Sequence, residues 1–390
     1  MARPGSARRW IKLISAATLI LCAALLSGCA TFPDTGPRHW HDKPKDNAPL
    51  LTPPTPDQSP RQDQQNPPPP GPPGQQATPN GCADPDPQVI ATCLDPVSAV
   101  AVLPDGQSAL VAERASGRIV LVQKGRDPQP YATVAVDPAG GGLIGLVLSP
   151  TYRDDQLVYA YAATPTDHRV VRIAKGFPPV PILTGIPRTE GSPAGALSVG
   201  RGAALLVATG SGTPNPGPGS LAGKLLRIDT FGHPLRDNPN PQSPIFSSGL
   251  LAPAGLCVAP DTGAVWVTDR APDRDLLYQI APGQLGDPAW SWPDRPGVAG
   301  CVAPPGSIAV AEQGGSALFL LRTGPQGGFT GTPQTLLAGT YGRLAAATLA
   351  PDGLIWLGTT NKGGGGPVVS SDDRVIRIQP PSGGASSGPD

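Results

Sequence analysis

The chain has no excess of charge of either sign. Its 29 lysines and arginines balance 29 aspartates and glutamates, and charged residues make up only 15% of the 390. Such a balance favours no polyanionic partner, and no nucleic acid is expected. Amphipathic helical periodicity is missing beyond Ala30, so helix content should be low. Histidine is scarce: His39, His41, His168 and His233 are the only four. None lies near a Gly-x-Ser-x-Gly, which leaves a Ser-His-Asp site with nothing specific behind it. Gly210-Ser211-Gly212-Thr213 precedes no helical pattern and reads as a turn, not a phosphate cradle.

Glycine and proline are abundant instead, 50 and 53 residues, and both punctuate short strands. Residues 99–122 (AVAVLPDGQSALVAERASGRIVLV) read as strand, Pro-Asp-Gly turn, strand, short turn, strand. The same order recurs from residues 144, 194, 253, 300 and 344. A β-sandwich could share the turns, but a repeated unit of roughly 40–50 residues with several strands is the mark of propeller blades. The expected fold is all-β, a six-bladed β-propeller over residues 82–380, followed by a disordered tail at 381–390. His168 is expected in a turn of the second blade and His233 at a strand exit. Trp290 and Trp292 could stack on a sugar or pack beneath a loop.

Ahead of the repeats stand a basic stretch (Arg3, Arg8, Arg9, Lys12) and an apolar run over residues 13–26, too short to span a bilayer comfortably. Leu26-Ser27-Gly28-Cys29 closes it. This tetrad resembles the bacterial lipobox, in which the cysteine thiol takes a diacylglycerol. Residues 1–28 are therefore read as a lipoprotein signal peptide and Cys29 as the lipidated residue, although an ordinary signal peptide would share the apolar run. Arg8-Arg9 also hints at twin-arginine export. Two or more acyl chains, at about 0.8 kcal/mol per buried methylene, make a stable anchor where one does not. The expected location is the extracytoplasmic face of the plasma membrane. Residues 29–81 contain Pro67-Pro68-Pro69-Pro70 and few large apolar side chains, too few to build a core, and read as a disordered tether. His39 and His41 lie in it, more simply solvated than metal-binding.

Cys22 leaves with the signal, so Cys82, Cys93, Cys257 and Cys301 remain, an even number in an exported chain. Cys257 and Cys301 each stand three residues before a proline, at the same place on the first strand of adjacent repeats. Equivalent positions on neighbouring blades face each other, which pairs Cys257 with Cys301 and, by exclusion, Cys82 with Cys93. The spacing does not suit zinc. The second loop would fasten the tether to residues 89–92, a strand expected to complete the last blade and close the ring.

Residues 100–114 (VAVLPDGQSALVAER), 141–150 (GGLIGLVLSP), 223–237 (GKLLRIDTFGHPLRD), 249–269 (GLLAPAGLCVAPDTGAVWVTD), 290–293 and 349–357 (LAPDGLIWL) together resemble the soluble quinoprotein glucose/sorbosone dehydrogenases. With the lipobox and tether in front, the chain also resembles a mycobacterial lipoprotein. Members of that dehydrogenase family bind pyrroloquinoline quinone and calcium over the central channel and oxidise sugars. The resemblance puts Ser192 in the position of the catalytic histidine and Gly191 in that of its acidic neighbour. Gly140 takes the place of a glutamine, and Leu251 that of an arginine. Gln313 falls near a quinone-binding lysine. Of two quinone-binding arginines, Arg343 matches and Ala345 does not. Asp269, Arg270 and Pro272 fall where calcium is held, partly by backbone carbonyls; carbonyl ligation survives side-chain change and leaves a metal open, although Arg270 would repel one. A serine without a partner base cannot take the hydroxyl proton of a sugar, and a tricarboxylate needs several cations. The expectation is thus a monomeric envelope module with no catalytic residue and no cofactor. It would bind a wall component, a small ligand or another envelope protein at the channel mouth, with Arg343 and Gln313 as candidate binding residues. A divergent quinoprotein sugar dehydrogenase using the quinone and calcium is the alternative, and a structural scaffold a third reading. Propellers host all three.

Overall fold

The computed structural model describes residues 82–188, 194–211, 216–324, 328–364 and 368–380. The chain divides into two units, Met1–Gly71 and Pro72–Asp390, and every described residue lies in the second. The expected signal segment, Cys29, the tether and the tail lie outside the described residues, as do Gly191 and Ser192.

Six sheets follow one another along the chain, each with four antiparallel strands; in the third a fifth strand, Gly283–Gln284, adds in parallel. Blade 1 runs from the inside out as Val97–Val102, Ser108–Glu113, Arg118–Gln123 and Gln129–Thr133. The innermost strands of the six blades begin at Val97, Leu143, Gly195, Pro253, Val298 and Leu344, within two residues of the repeat starts read from the sequence. Blade 6 takes its outermost strand from the other end of the chain: Val89–Ala91 pairs with Val375–Ile378. The ring is therefore closed by hydrogen bonds, as expected for residues 89–92.

Burial follows position in the blade. Ser108–Glu113 is buried at every residue because both of its faces meet neighbouring blades, whereas Gln129–Thr133 on the rim has no buried residue. Second strands therefore read as continuous apolar runs rather than alternating ones. Among the described residues the core divides into six clusters. Each is shared by two adjacent blades, including one that joins blade 6 to blade 1. No blade buries its faces alone, so stability belongs to the closed ring. Near the axis the innermost strands crowd together. A Cβ on Gly255 would lie 2.2 Å from the Ala299 carbonyl oxygen, and one on Gly300 would lie 2.6 Å from the Ala347 nitrogen.

Both expected disulfides are present. Cys257–Cys301 joins the innermost strands of blades 4 and 5 and lines the channel; Cys82–Cys93 ties the entry of the domain to the closing strand. Helix is confined, among the described residues, to Tyr152–Asp155 and a 3₁₀ turn at Arg201–Ala203, and no described helix is long and apolar enough to cross a membrane. Trp290 and Trp292 form the outermost strand of blade 4. They pack against Phe319 and Phe329, with the Trp292 and Phe319 ring centres 5.4 Å apart. Packing is their role here, not a sugar platform.

Candidate functional site

At one end of the channel the innermost strands begin and the second strands end. A cavity of about 280 Å³ opens there. Arg114, Arg270, Gln313, Arg343 and Thr360 supply its polar wall, and proline, alanine and glycine supply the rest. None of the described lining residues is acidic.

Each cation is placed by its blade. Glu113-Arg114, Asp269-Arg270 and Glu312-Gln313 occupy equivalent positions at the ends of the second strands of blades 1, 4 and 5. In each pair the acid turns inward and is buried, while the next side chain reaches the mouth. Two of these acids hold the entry to their blade's innermost strand. Glu113 accepts from the Asp95 amide at 3.1 Å, and Asp269 accepts from the Leu251 and Ala252 amides at 2.9 and 2.6 Å. Arg343 precedes the innermost strand of blade 6. Its amide donates to Asn361 Oδ1 at 2.7 Å, and Asn361 Nδ2 in turn donates to the Tyr341 carbonyl and to Asp372, both at 2.9 Å. Gly342 has φ +79°, and a Cβ there would strike the Asn361 side chain, so glycine is required beside the arginine.

Three guanidinium groups thus share one cavity. Burial first, and then the charge of Arg270, brings Arg114 down to about 10, so it stays a cation at neutral pH. Arg270 is also lowered, mainly by burial, with Arg343 adding repulsion and Asp275 opposing it. Arg114 Nη1 reaches the Gly141 carbonyl at 3.4 Å, and Arg270 Nε donates to the Val298 carbonyl at 2.7 Å. Arg270 Nη2 and Arg343 Nε are buried with no hydrogen-bond partner among the described residues. Orphaned buried donors on cations cost more than neutral ones. An anion that took those donors would stabilise the arrangement.

Gln313 and Arg343, named from the sequence, do come together at this mouth with Ala345. Arg270, read from the sequence at the calcium position, joins them; Leu251 and Gly140 do not line the cavity, and Gly191 and Ser192 lie outside the described residues. Leu251 presents its amide to Asp269 rather than a side chain to the cavity. At Gly140 a Cβ would meet the Arg188 guanidinium at 3.0 Å, and Arg188 is held by Asp137 at 2.7 Å. His168 is not in a turn: it opens the third strand of blade 2, fully buried, with Nε2 3.0 Å from the Gly140 carbonyl and Nδ1 3.3 Å from the Tyr161 hydroxyl. Its strand position and burial make it a structural histidine, which burial keeps below the usual imidazole range. His233 is exposed, 3.3 Å from Asp229. The resemblance puts Arg343 at a quinone-binding position and Arg270 at the calcium position; the fold brings both to one mouth and adds Arg114. Arg114 was missed, and the repeated acid-then-polar pair was the signal for it.

Residues 94–294, more than half of the chain, match the family model described as Glucose / Sorbosone dehydrogenase. The chain belongs to this family. Among solved structures, it is similar to the PQQ-bound form of aldose sugar dehydrogenase from Streptomyces coelicolor, 29% identical over 77% of this chain and 99% of that one, with a TM-score of 0.68. An oxidoreductase from Thermus thermophilus described as a glucose dehydrogenase is 30% identical over 74% of this chain and 98% of that one, also at 0.68. The soluble aldose sugar dehydrogenase of Escherichia coli, 19% identical over 75% of this chain and 99% of that one at 0.62, shares the fold. No curated protein matches the chain.

Beside Gln313, the buried Glu312 carboxyl is pushed up to about 7 by burial and by the charges of Asp294 and Asp275. An acid whose folded value lies above its unfolded one stabilises the fold at low pH. That contribution is complete below about 4.5 and is lost as pH rises to about 7. Glu312→Gln is expected to leave stability near wild type at pH 4.5 and to exceed it by about 1–2 kcal/mol at pH 8, after allowing for solvent screening. Urea midpoints of both proteins across that range check the difference, and a gap independent of pH would show that Glu312 ionises normally.

Proposed function

We propose that this member of the glucose/sorbosone dehydrogenase family is a lipid-anchored, extracytoplasmic module whose channel mouth binds a small, multiply charged anion. The observation that carries the reading is the trio Arg114, Arg270 and Arg343 around a cavity with no described acidic wall residue, two of them with buried unpartnered donors. Guanidinium groups make strong, planar hydrogen bonds to carboxylate and phosphate, so the ligand is a polycarboxylate, a phosphate ester or an anionic group of a wall component. The quinone implied by the family resemblance is a tricarboxylate and fits this charge. Arg114, Arg270 and Arg343 would hold it, with Gln313 and Thr360 as neutral hydrogen-bonding partners. Bound there, it would supply a two-electron acceptor. Kinship with a PQQ-bound aldose sugar dehydrogenase favours the second reading, a divergent sugar dehydrogenase.

The test is calorimetric titration of the full chain with pyrroloquinoline quinone and with citrate. Saturable binding by wild type, weakened roughly 10- to 100-fold by Arg343→Ala, is expected for loss of one charge-assisted contact. Equal heats from wild type and variant would sink the reading. Replacing Cys29 with alanine should move the chain from the membrane pellet to the soluble fraction, and unchanged partitioning would remove the anchor from the proposal.

A further inference from the structure

We infer that Arg270 is a fixed cation standing where the family resemblance implies calcium, so that the mouth holds its anion without a metal. The inference rests on the polyanion reading above and specifies how the charge is met.

Calcium needs six to eight oxygen ligands, from carboxylates, carbonyls and water. The carboxylate of Asp269 and several of the carbonyls around it already accept hydrogen bonds. Both Asp269 carboxylate oxygens accept backbone amides, Oδ2 from Leu251 at 2.9 Å and Oδ1 from Ala252 at 2.6 Å. The Ala252 carbonyl accepts the Arg270 amide at 3.1 Å. The Val298 carbonyl accepts Arg270 Nε at 2.7 Å, and the neighbouring Ala299 carbonyl accepts the Thr268 hydroxyl at 2.7 Å. Asp275 faces the same corner, but its Oδ2 is taken by the amides of Gly297 at 2.7 Å and Val298 at 3.0 Å. Among the described residues, no three histidine, cysteine, aspartate or glutamate side chains come together as a metal site.

A guanidinium now occupies the oxygen-rich corner. It is bonded to one carbonyl, makes no ion pair within 4 Å among the described residues, and keeps Nη2 buried and unpartnered. A divalent ion beside it would meet repulsion in a poorly screened setting. Arg270 instead offers a positive charge and directed donors to an anion that also meets Arg114 and Arg343, the neighbours whose charges it feels. The covalently tethered cation thus does what a bound metal would do for the ligand's charge, and it cannot be removed by a chelator.

The experiment repeats the quinone titration of the full chain in buffer freed of metal on a chelating resin and in calcium chloride, and adds calcium titrated alone. Dissociation constants within about twofold in the two buffers are expected, with no saturable heat from calcium itself, because the Arg270 guanidinium fills the corner and repels a divalent ion. Arg270→Ala should weaken anion binding roughly 10- to 100-fold, and Arg270→Lys, which keeps the charge without the planar fork, by less. The wild-type buffer comparison stands even where a variant fails to fold. Binding that vanishes in the metal-free buffer and returns with calcium would overturn the metal-free site while leaving the polyanion reading intact. Absence of binding in both buffers would overturn the polyanion reading itself, and this inference with it.

Discussion

Deleting residues 82–94 is expected to open the ring and abolish cooperative folding. This segment supplies the outermost strand of blade 6, in which Val89 pairs with Ile376 and Ala91 with Val375. Val89, Ile90 and Leu94 are all buried, at 5%, 5% and 1% exposure. Burying side chains of this kind contributes about 1.5–3 kcal/mol each. Polar ties add to them: Arg374 meets Asp84 at 2.9 Å, the Tyr341 hydroxyl donates to Asp86, and Lys124 Nζ donates to the Val89 carbonyl at 3.0 Å. Together these rival the roughly 5–15 kcal/mol that separates a folded domain from its unfolded chain. The deletion would also expose Val375–Ile378 as an apolar edge strand, a template for aggregation. The expected result is an insoluble or non-cooperatively unfolding protein. A Cys82→Ser/Cys93→Ser double variant should keep a sharp transition and lose only about 2–4 kcal/mol. A deleted chain with the wild-type urea midpoint would show that the closing strand is dispensable.

The blades were legible in the sequence because each depends on local signals, and their count left the strand at residues 89–92 to close the ring. Pro-Asp-Gly turns, apolar strands of fixed length and two cysteines at one repeat position all write themselves into short windows. The innermost strands and both disulfides followed from these alone. The mouth was not legible in the same way. Arg114, Arg270 and Arg343 are far apart in the chain, and only the closure of three blades on one axis makes them neighbours. Local sequence shows a charged residue at a strand end, and such residues are usually solvated. What separates these is the buried acid before two of them, Glu113 and Asp269, which turns inward to hold an innermost strand and leaves the arginine facing the axis. His168 was misplaced for a related reason: the polar run Thr164–His168 reads as a turn, yet its last member carries the first ladder pair of a strand, with Ile186.

The same mouth is expected to support no quinone-dependent oxidation of sugars. Oxidising an alcohol by hydride transfer requires a base to take the hydroxyl proton, and a positioned base contributes about 10²–10⁴ in rate. Family resemblance assigns that position to Ser192, which lies outside the described residues and whose hydroxyl has no basicity of its own near neutral pH. No described residue lining the cavity is a histidine or a carboxylate. His168 is committed at both ring nitrogens and buried behind Tyr161, whose ring a Cβ on Gly195 at the mouth would strike. Glu312, although raised toward neutrality, turns away while Gln313 takes the cavity wall. The three arginines can hold an anionic cofactor but cannot accept a proton, because even the lowered Arg114 remains charged until about pH 10. Reduction of an artificial electron acceptor by the full chain with added quinone, calcium and a panel of aldoses should therefore stay at the level of quinone alone. Turnover above that blank, abolished by Arg343→Ala, would replace the binding module with a working sugar dehydrogenase. Its proton acceptor would then have to come from outside the described residues, with Glu190 and Ser192 the first positions to substitute.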